Sequence, residues 1–251
     1  MTKTRIISGR VLGACALMAV AGVAGAVIGL PEYIARTAIQ VAESCLDAPE
    51  DETRCRFVGG PLQMAGAPVF LENFHHAFLP TSAKIDFLDA KGETWTAPPQ
   101  TLTDGATIPP IFAPLVGDRQ SREYLMAAAL HDAYCGVGNE GLETWQTRPW
   151  EEVHRMFYEA LIVNGTPPQK AKLMFAAVYL GGPRWDDPER SLEGVDEAAL
   201  LEEMKWCLDW IARNNPSPAE IEAWMRKREG ALKAGIVAVP GYVDGADPRG
   251  R

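Results

Sequence analysis

The pattern of apolar and polar positions changes character three times along this chain. Residues 11–30, VLGACALMAVAGVAGAVIGL, carry no charge. At about 1.5 Å rise per residue, a helix over them spans about 30 Å, the thickness of a bilayer's hydrocarbon. PEYIARTAIQVAESC continues as helix, and LDAPEDETR then breaks it with charge and proline. From residue 57 to about 100, short apolar runs alternate with turn residues. There KIDFLDAKGETWTAPPQ predicts a β-hairpin turning at Ala90, Lys91 and Gly92, with Ile85, Phe87 and Trp95 facing a core.

Helical spacing then takes over. It predicts helices over residues 121–135, 150–164 and 168–180. Val153, Met156, Phe157, Ala160 and Leu161 mark the second, and Thr166 is placed to cap the third ahead of Pro167 and Pro168. An acidic, tryptophan-bearing extension of two helices follows. Leu200, Met204, Cys207, Leu208 and Ile211 form the apolar stripe of the first. Ser217, Pro218 and Glu220 give the second a capping-box start. The polar, Gly/Pro-rich tail from Asp244 is expected to be disordered.

The expected fold is α+β and mostly helical: an N-terminal transmembrane helix, a small β-hairpin region, an antiparallel helix core and a C-terminal helical extension. The expected divisions are 1–30 (cytoplasmic tip and anchor, or signal peptide), 31–55 (helical linker), 56–190 (core), 191–243 (extension) and 244–251 (tail). Lys3, Arg5 and Arg10 precede the apolar segment. Glu32, Glu43, Asp47, Glu50 and Asp51 follow it. This asymmetry places the N-terminus in the cytoplasm and the main domain in the periplasm of a bacterial inner membrane. Ala24, Gly25 and Ala26 offer a cleavage site for the secreted alternative, but the apolar run exceeds an ordinary signal's core, which favours an anchor. Ala21, Gly25 and Gly29 have the small-residue spacing through which two such helices could form a homodimer.

A formal charge of −9 excludes a nucleic-acid surface, which needs clustered cations. The five cysteines contain no C-x-x-C pair, so the common zinc spacings are missing. Cys45 and Cys55 are close enough in sequence to bridge in an extracytoplasmic domain, although sequence alone does not supply the geometry.

The candidate chemistry centres on AAALHDAYC. His131 follows small residues that leave room beside an imidazole, and Asp132 projects about 100° around the helix from it. The pair could serve as a water-activating base and a cation ligand, or as a satisfied buried hydrogen bond. LTDGATIPPIF offers Asp104 on a turn, with Gly105 leaving a carbonyl open to a cation, or a plain Asx-turn. WEEVHRMFYEAL puts His154 on the next helix, with Glu151 one turn before it. The neighbouring histidines of NFHH read more readily as surface residues.

TDGATIP, AAALHDAY, FYEAL and AAVYLGG, in that order, resemble the core of an uncharacterised family of small phage and bacterial proteins, the domain of unknown function 1353, over about residues 85–182. The order of TD loop, His-Asp helix and opposing polar helix is also similar to the core of secreted bacterial phospholipases A2. That second resemblance implies that His131 activates a water and that Asp132 and Asp104, with the Gly105 carbonyl, hold Ca²⁺. His154 stands where the family has an orienting aspartate, with Glu151 as a possible substitute. Cys135 stands where the family has a tyrosine, and the family's disulfide framework is missing. Asp104, His131, Asp132 and His154 also suit Zn²⁺ or another divalent metal. The resulting expectation is a membrane-anchored, phospholipase-A2-like hydrolase whose partner is membrane lipid. The alternative is a non-catalytic envelope or phage-derived interaction protein with a degenerate site.

Overall fold

The computed structural model describes Cys45, residues 55–105, Phe112 and residues 124–236. The candidate anchor at 11–30, most of the linker and the tail from 244 lie outside the described residues. Among the described residues no helix is long and apolar enough to cross a membrane.

Six short strands form two antiparallel three-stranded sheets among the described residues. One sheet runs β1 (Arg56–Val58), β4 (Ile85–Leu88), β5 (Thr94–Ala97), and the other β2 (Val69–Phe70), β3 (Ala77–Pro80), β6 (Leu102–Thr103). The β4–β5 hairpin is the one its alternating pattern predicts. Ile85, Phe87 and Trp95 are buried, and Phe87 pairs with Trp95 across the ladder. Asp89 builds the turn: its carboxylate accepts from the Lys91 and Glu93 amides at 2.9 and 2.8 Å and from Trp95 Nε1 at 2.9 Å. Gly92 takes the left-handed conformation there, at φ +83°.

Among the described residues five α-helices follow: α1 (Leu125–Cys135), α2 (Trp150–Val163), α3 (Pro168–Gly181), α4 (Glu197–Asn214) and α5 (Pro218–Lys233). Helix α1 packs on β4, β5 and β6, and α2 packs on α1 and α3. Helix α3 also meets α4 and α5. It is therefore enclosed, and every residue from Ala171 to Leu180 is buried. A helix buried all round needs small residues or internal partners for its polar ones. Ala176 and Ala177 meet the first need; Lys172 meets the second by donating to Asn215 Oδ1 at 2.7 Å. Asn215 ends α4 in the left-handed conformation.

The capping box on α5 forms as predicted: Ser217 N donates to Glu220 Oε2 at 2.7 Å, and Glu220 N to Ser217 Oγ at 3.3 Å. The predicted cap on α3 is corrected: the cap position is Pro167, with no side-chain cap bond. Pro167 has no side-chain acceptor to offer, and Pro168 at the first helical position fixes the entry dihedral and removes one orphan amide. Cys45 and Cys55 form a disulfide. Cys45 is buried beside Glu159 of α2, its Sγ 3.4 Å from Oε2, and the same oxygen accepts from the Ala90 amide at 2.9 Å.

Candidate functional site

Helices α1 and α2 bring two histidines together. His131 Nε2 lies 2.9 Å from His154 Nδ1, and the two residues are 1% and 0% exposed. Phe157 packs on the His131 ring and Trp150 meets the edge of His154. The chain after α3 passes so close that a Cβ at Gly182 would sit 3.0 Å from His154 Nε2 and 2.3 Å from the Val178 carbonyl oxygen. Only glycine fits that passage.

The donors and acceptors define the tautomers. His154 Nε2 faces the Pro183 carbonyl, which raises its proton affinity although the contact falls outside strict hydrogen-bond geometry. A carbonyl can only accept, so the His154 proton belongs on Nε2 and its Nδ1 accepts from His131 Nε2–H. The basic lone pair of His131 is then on Nδ1. Burial lowers the His131 pKa to about 3. Burial, then His131, then Arg184 hold His154 well below the ordinary imidazole range. Both rings are therefore neutral near pH 7.

An acidic pair adjoins the histidines. Burial pushes the Asp132 carboxyl well up, the Asp104 charge pushes it further, and a hydrogen bond from Thr103 opposes both. His76 Nε2 stands 2.7 Å from Asp104 Oδ2. Strand β6 carries Asp104 at its end, and Asn139 fastens that strand to α1. Asn139 Oδ1 accepts from the Leu102 amide at 2.8 Å. Its Nδ2 donates to the Leu102 carbonyl at 2.8 Å and to the Asp132 carbonyl at 3.0 Å. Gly105 follows at φ +101°, its amide donating to Thr103 Oγ1 at 3.2 Å.

A pocket of about 690 Å³ opens over these groups, lined by Asp104, His131, Asp132 and Cys135. Phe74, Phe78 and Leu102 form an apolar wall on the strand side. The facing wall comes from residues 180–200, including Leu192, Val195 and Leu200. The acidic extension thus begins at the pocket itself.

Of the residues the sequence singles out, the structure brings His131 against His154 and Asp104 near Asp132 around one pocket. Glu151 is placed elsewhere: its Oε1 accepts from Tyr179 Oη at 2.8 Å, Arg190 Nη1 at 2.6 Å and Arg226 Nη2 at 3.0 Å. Those partners commit it to an ion network rather than to orienting His154. Sequence reasoning demoted His76, and it left out Asn139 and the Gly182–Pro183 passage. Cys135 stands in the sequence reading only as a departure from the phospholipase pattern, although its place four residues after His131 on the same helix face is a signal that could have marked it.

Residues 81–178 match a family described as "Protein of unknown function (DUF1353)". Two relatives from Sinorhizobium fredii share sequence with this chain. "Uncharacterized protein y4iH" is 41% identical over 103 residues, 41% of this chain and 40% of the relative. "Uncharacterized protein y4jT" is 33% identical over 126 residues, 50% of this chain and 35% of the relative. The chain thus spans well under half the length of these curated relatives. No solved structure matches. The histidine pair and both aspartates fall inside the region that matches the DUF1353 model, while the wall from residues 180–200 lies beyond it.

Proposed function

We propose that the pocket is the active site of a hydrolase acting on an acyl ester, with His131 as the base. The observation that carries this reading is the gathering of Asp104, His131 and Asp132 around one pocket, with His131 Nε2 2.9 Å from His154 Nδ1. His154 accepts the Nε2 proton and leaves His131 Nδ1 to take a proton from water. The water oxygen attacks the ester carbonyl carbon, the bond to the alcohol oxygen breaks, and the proton passes to that oxygen. The apolar walls suit the acyl chain and exclude bulk water.

Asp104 and Asp132 fit a hard cation such as Ca²⁺. Both offer oxygen, and their mutual repulsion is relieved by a positive charge between them. When bound, the ion would polarise the ester carbonyl. His76, beside Asp104, supplies a competing positive charge when protonated. The uncharged segment 11–30 with its basic leader, and the Cys45–Cys55 disulfide, support a domain held at the outer face of a membrane, where lipid is the available acyl ester.

The test is fatty-acid release from phospholipid vesicles by the full-length chain, with Ca²⁺ or with a chelator. Release that requires Ca²⁺ and disappears in His131→Ala is the expected result. Release that survives His131→Ala, or none by the natural chain, would overturn the reading and leave a non-catalytic binding pocket.

A further inference from the structure

The histidine pair has a third neighbour that hydrolysis does not use. Cys135 Sγ lies 3.5 Å from His131 Nε2, and one ligand atom each from His131, Cys135 and His154 lie within 4.8 Å of one another. We infer that His131 Nε2, His154 Nδ1 and Cys135 Sγ form a binding site for a thiophilic divalent cation such as Zn²⁺. It differs from the carboxylate pair in donor type: nitrogen and sulfur in place of oxygen.

Two imidazoles and a thiolate form a donor set that soft and borderline metals prefer, and one that Ca²⁺ does not use. Zn–N bonds of about 2.0–2.1 Å and Zn–S bonds of about 2.3 Å imply tetrahedral edges near 3.3 Å for N···N and 3.5 Å for N···S. The Cys135–His131 edge already has the second length. The histidine edge, at 2.9 Å, must open by about 0.4 Å. His131 and Cys135 share one face of α1 and His154 comes from α2, so the three donors converge without a loop having to close. The Pro183 carbonyl, which His154 Nε2 faces, would serve as the outer acceptor that a ligating imidazole uses once the ring adjusts to the metal. His131 and Cys135 both border the pocket, which leaves a fourth coordination position open to water. The other comparable cluster among the described residues, Cys45, Cys55 and Glu159, has its sulfurs joined in the disulfide.

The proton balance is simple. The metal takes the lone pairs of both imidazole nitrogens and of the sulfur. The Cys135 thiol gives up its proton to solvent, so one proton is released per ion bound. His131 moves its remaining proton from Nε2 to Nδ1 and loses the lone pair a base needs. Metal binding and hydrolysis are therefore alternative states of the same two rings.

The test uses the full-length chain with Co²⁺ alone as probe, read by absorption. The expected result is one ion per chain, with visible bands of four-coordinate cobalt and a near-ultraviolet thiolate-to-metal band. Cys135→Ser should abolish the thiolate band, and His154→Gln should weaken binding by about tenfold or more. Cys207→Ser should change neither, and excess Ca²⁺ should not displace the ion. Absence of bound cobalt in the natural chain would overturn the site, as would a thiolate band that persists in Cys135→Ser. Should that variant not fold, unweakened binding by His154→Gln would overturn it. None of these readouts involves fatty-acid release, so this site and the hydrolase reading fail separately.

Discussion

His131 and His154 meet across the α1–α2 packing with Nε2 2.9 Å from Nδ1, and the partner that orients His131 carries no charge. A neutral imidazole can fix a tautomer, but it cannot stabilise the imidazolium that forms when His131 takes a proton. Burial holds His131 near pKa 3, in the right protonation state at neutral pH but a weak base.

Replacing that partner should therefore improve the base. In His154→Asp a carboxylate would face His131 Nε2–H, and Arg184, close enough to depress His154, would give it a counter-charge. The expected outcome is a turnover increase of roughly tenfold or more. The acid limb of the pH–rate profile should also move up from its natural position, near pH 3, toward the ordinary imidazole range. His154→Asn, which adds no charge, should produce neither change. An unshifted acid limb in His154→Asp would show that His131 is not the titrating base.

The acidic pair predicts a response to Ca²⁺ in stability as well as in rate. Burial and Asp104 raise the Asp132 pKa, so the folded state holds its proton longer than the unfolded chain. That contribution is present below pH 3.8 and is lost as pH rises through the folded-state value. A cation between the carboxylates restores it. Ca²⁺ at a hundredfold excess over its dissociation constant should add about 2.7 kcal/mol, read as a rise in Tm near pH 7. Asp132→Asn should raise the metal-free Tm and abolish the response. An equal Ca²⁺ shift in the natural chain and in Asp132→Asn would place the ion elsewhere.

How much of this was legible depended on whether the information was local. The β4–β5 hairpin, the α5 capping box and helices α2 and α3 are written in spacings of two to four residues, and they form where predicted. His131 and His154 were legible as a pair because each lies on a helix face pointing at its neighbour. His76 was not, because the β2–β3–β6 sheet alone carries it to Asp104, and strands of two residues leave little pattern. Asn139 gives no motif; its role exists only because β6 lies beside the end of α1. Glu151 was misplaced for a related reason. Its i,i+3 spacing to His154 is real, but Arg190 and Arg226 arrive from distant segments and outcompete a neutral ring for its charge.

Glu159 predicts a separate pH dependence. Burial, with Asp89 adding to it, raises this carboxyl to about 7 against the Ala90 amide, Arg155 and Lys91. The folded state therefore keeps a proton that the unfolded chain loses at 4.5. Its contribution is complete below pH 4.5 and disappears as pH rises through about 7, a loss of up to about 3 kcal/mol. Glu159→Gln keeps an oxygen for the Ala90 amide and cannot ionise. Urea unfolding should find the variant and the natural chain close at pH 5 and the variant more stable at pH 8. Parallel curves across that range would show that Glu159 ionises as it does in water.

Asn139 predicts that the two halves of the acidic pair can be uncoupled without touching either carboxylate. Its amide saturates both main-chain groups of Leu102 and reaches the Asp132 carbonyl, so it sets how far the β6 end stands from α1. The Asp132 carbonyl keeps a second partner in the Gly136 amide at 2.8 Å. The loss in Asn139→Ala therefore falls mainly on the half-buried Leu102, whose amide and carbonyl both lose their Asn139 partner. A fully buried unpaired group costs about 1–3 kcal/mol and these two are half-buried, so a combined destabilisation of about 1–3 kcal/mol is expected in urea unfolding. With Asp104 no longer held near Asp132, the Ca²⁺-induced rise in Tm should shrink more than the loss of stability explains. Asn139→Asp keeps the acceptor for the Leu102 amide but loses both donated bonds and adds a charge beside the pair, so it should fall no higher than alanine in Ca²⁺-free buffer. A full Ca²⁺ response in Asn139→Ala would mean that the β6–α1 clamp supports the fold but does not set the spacing of the site.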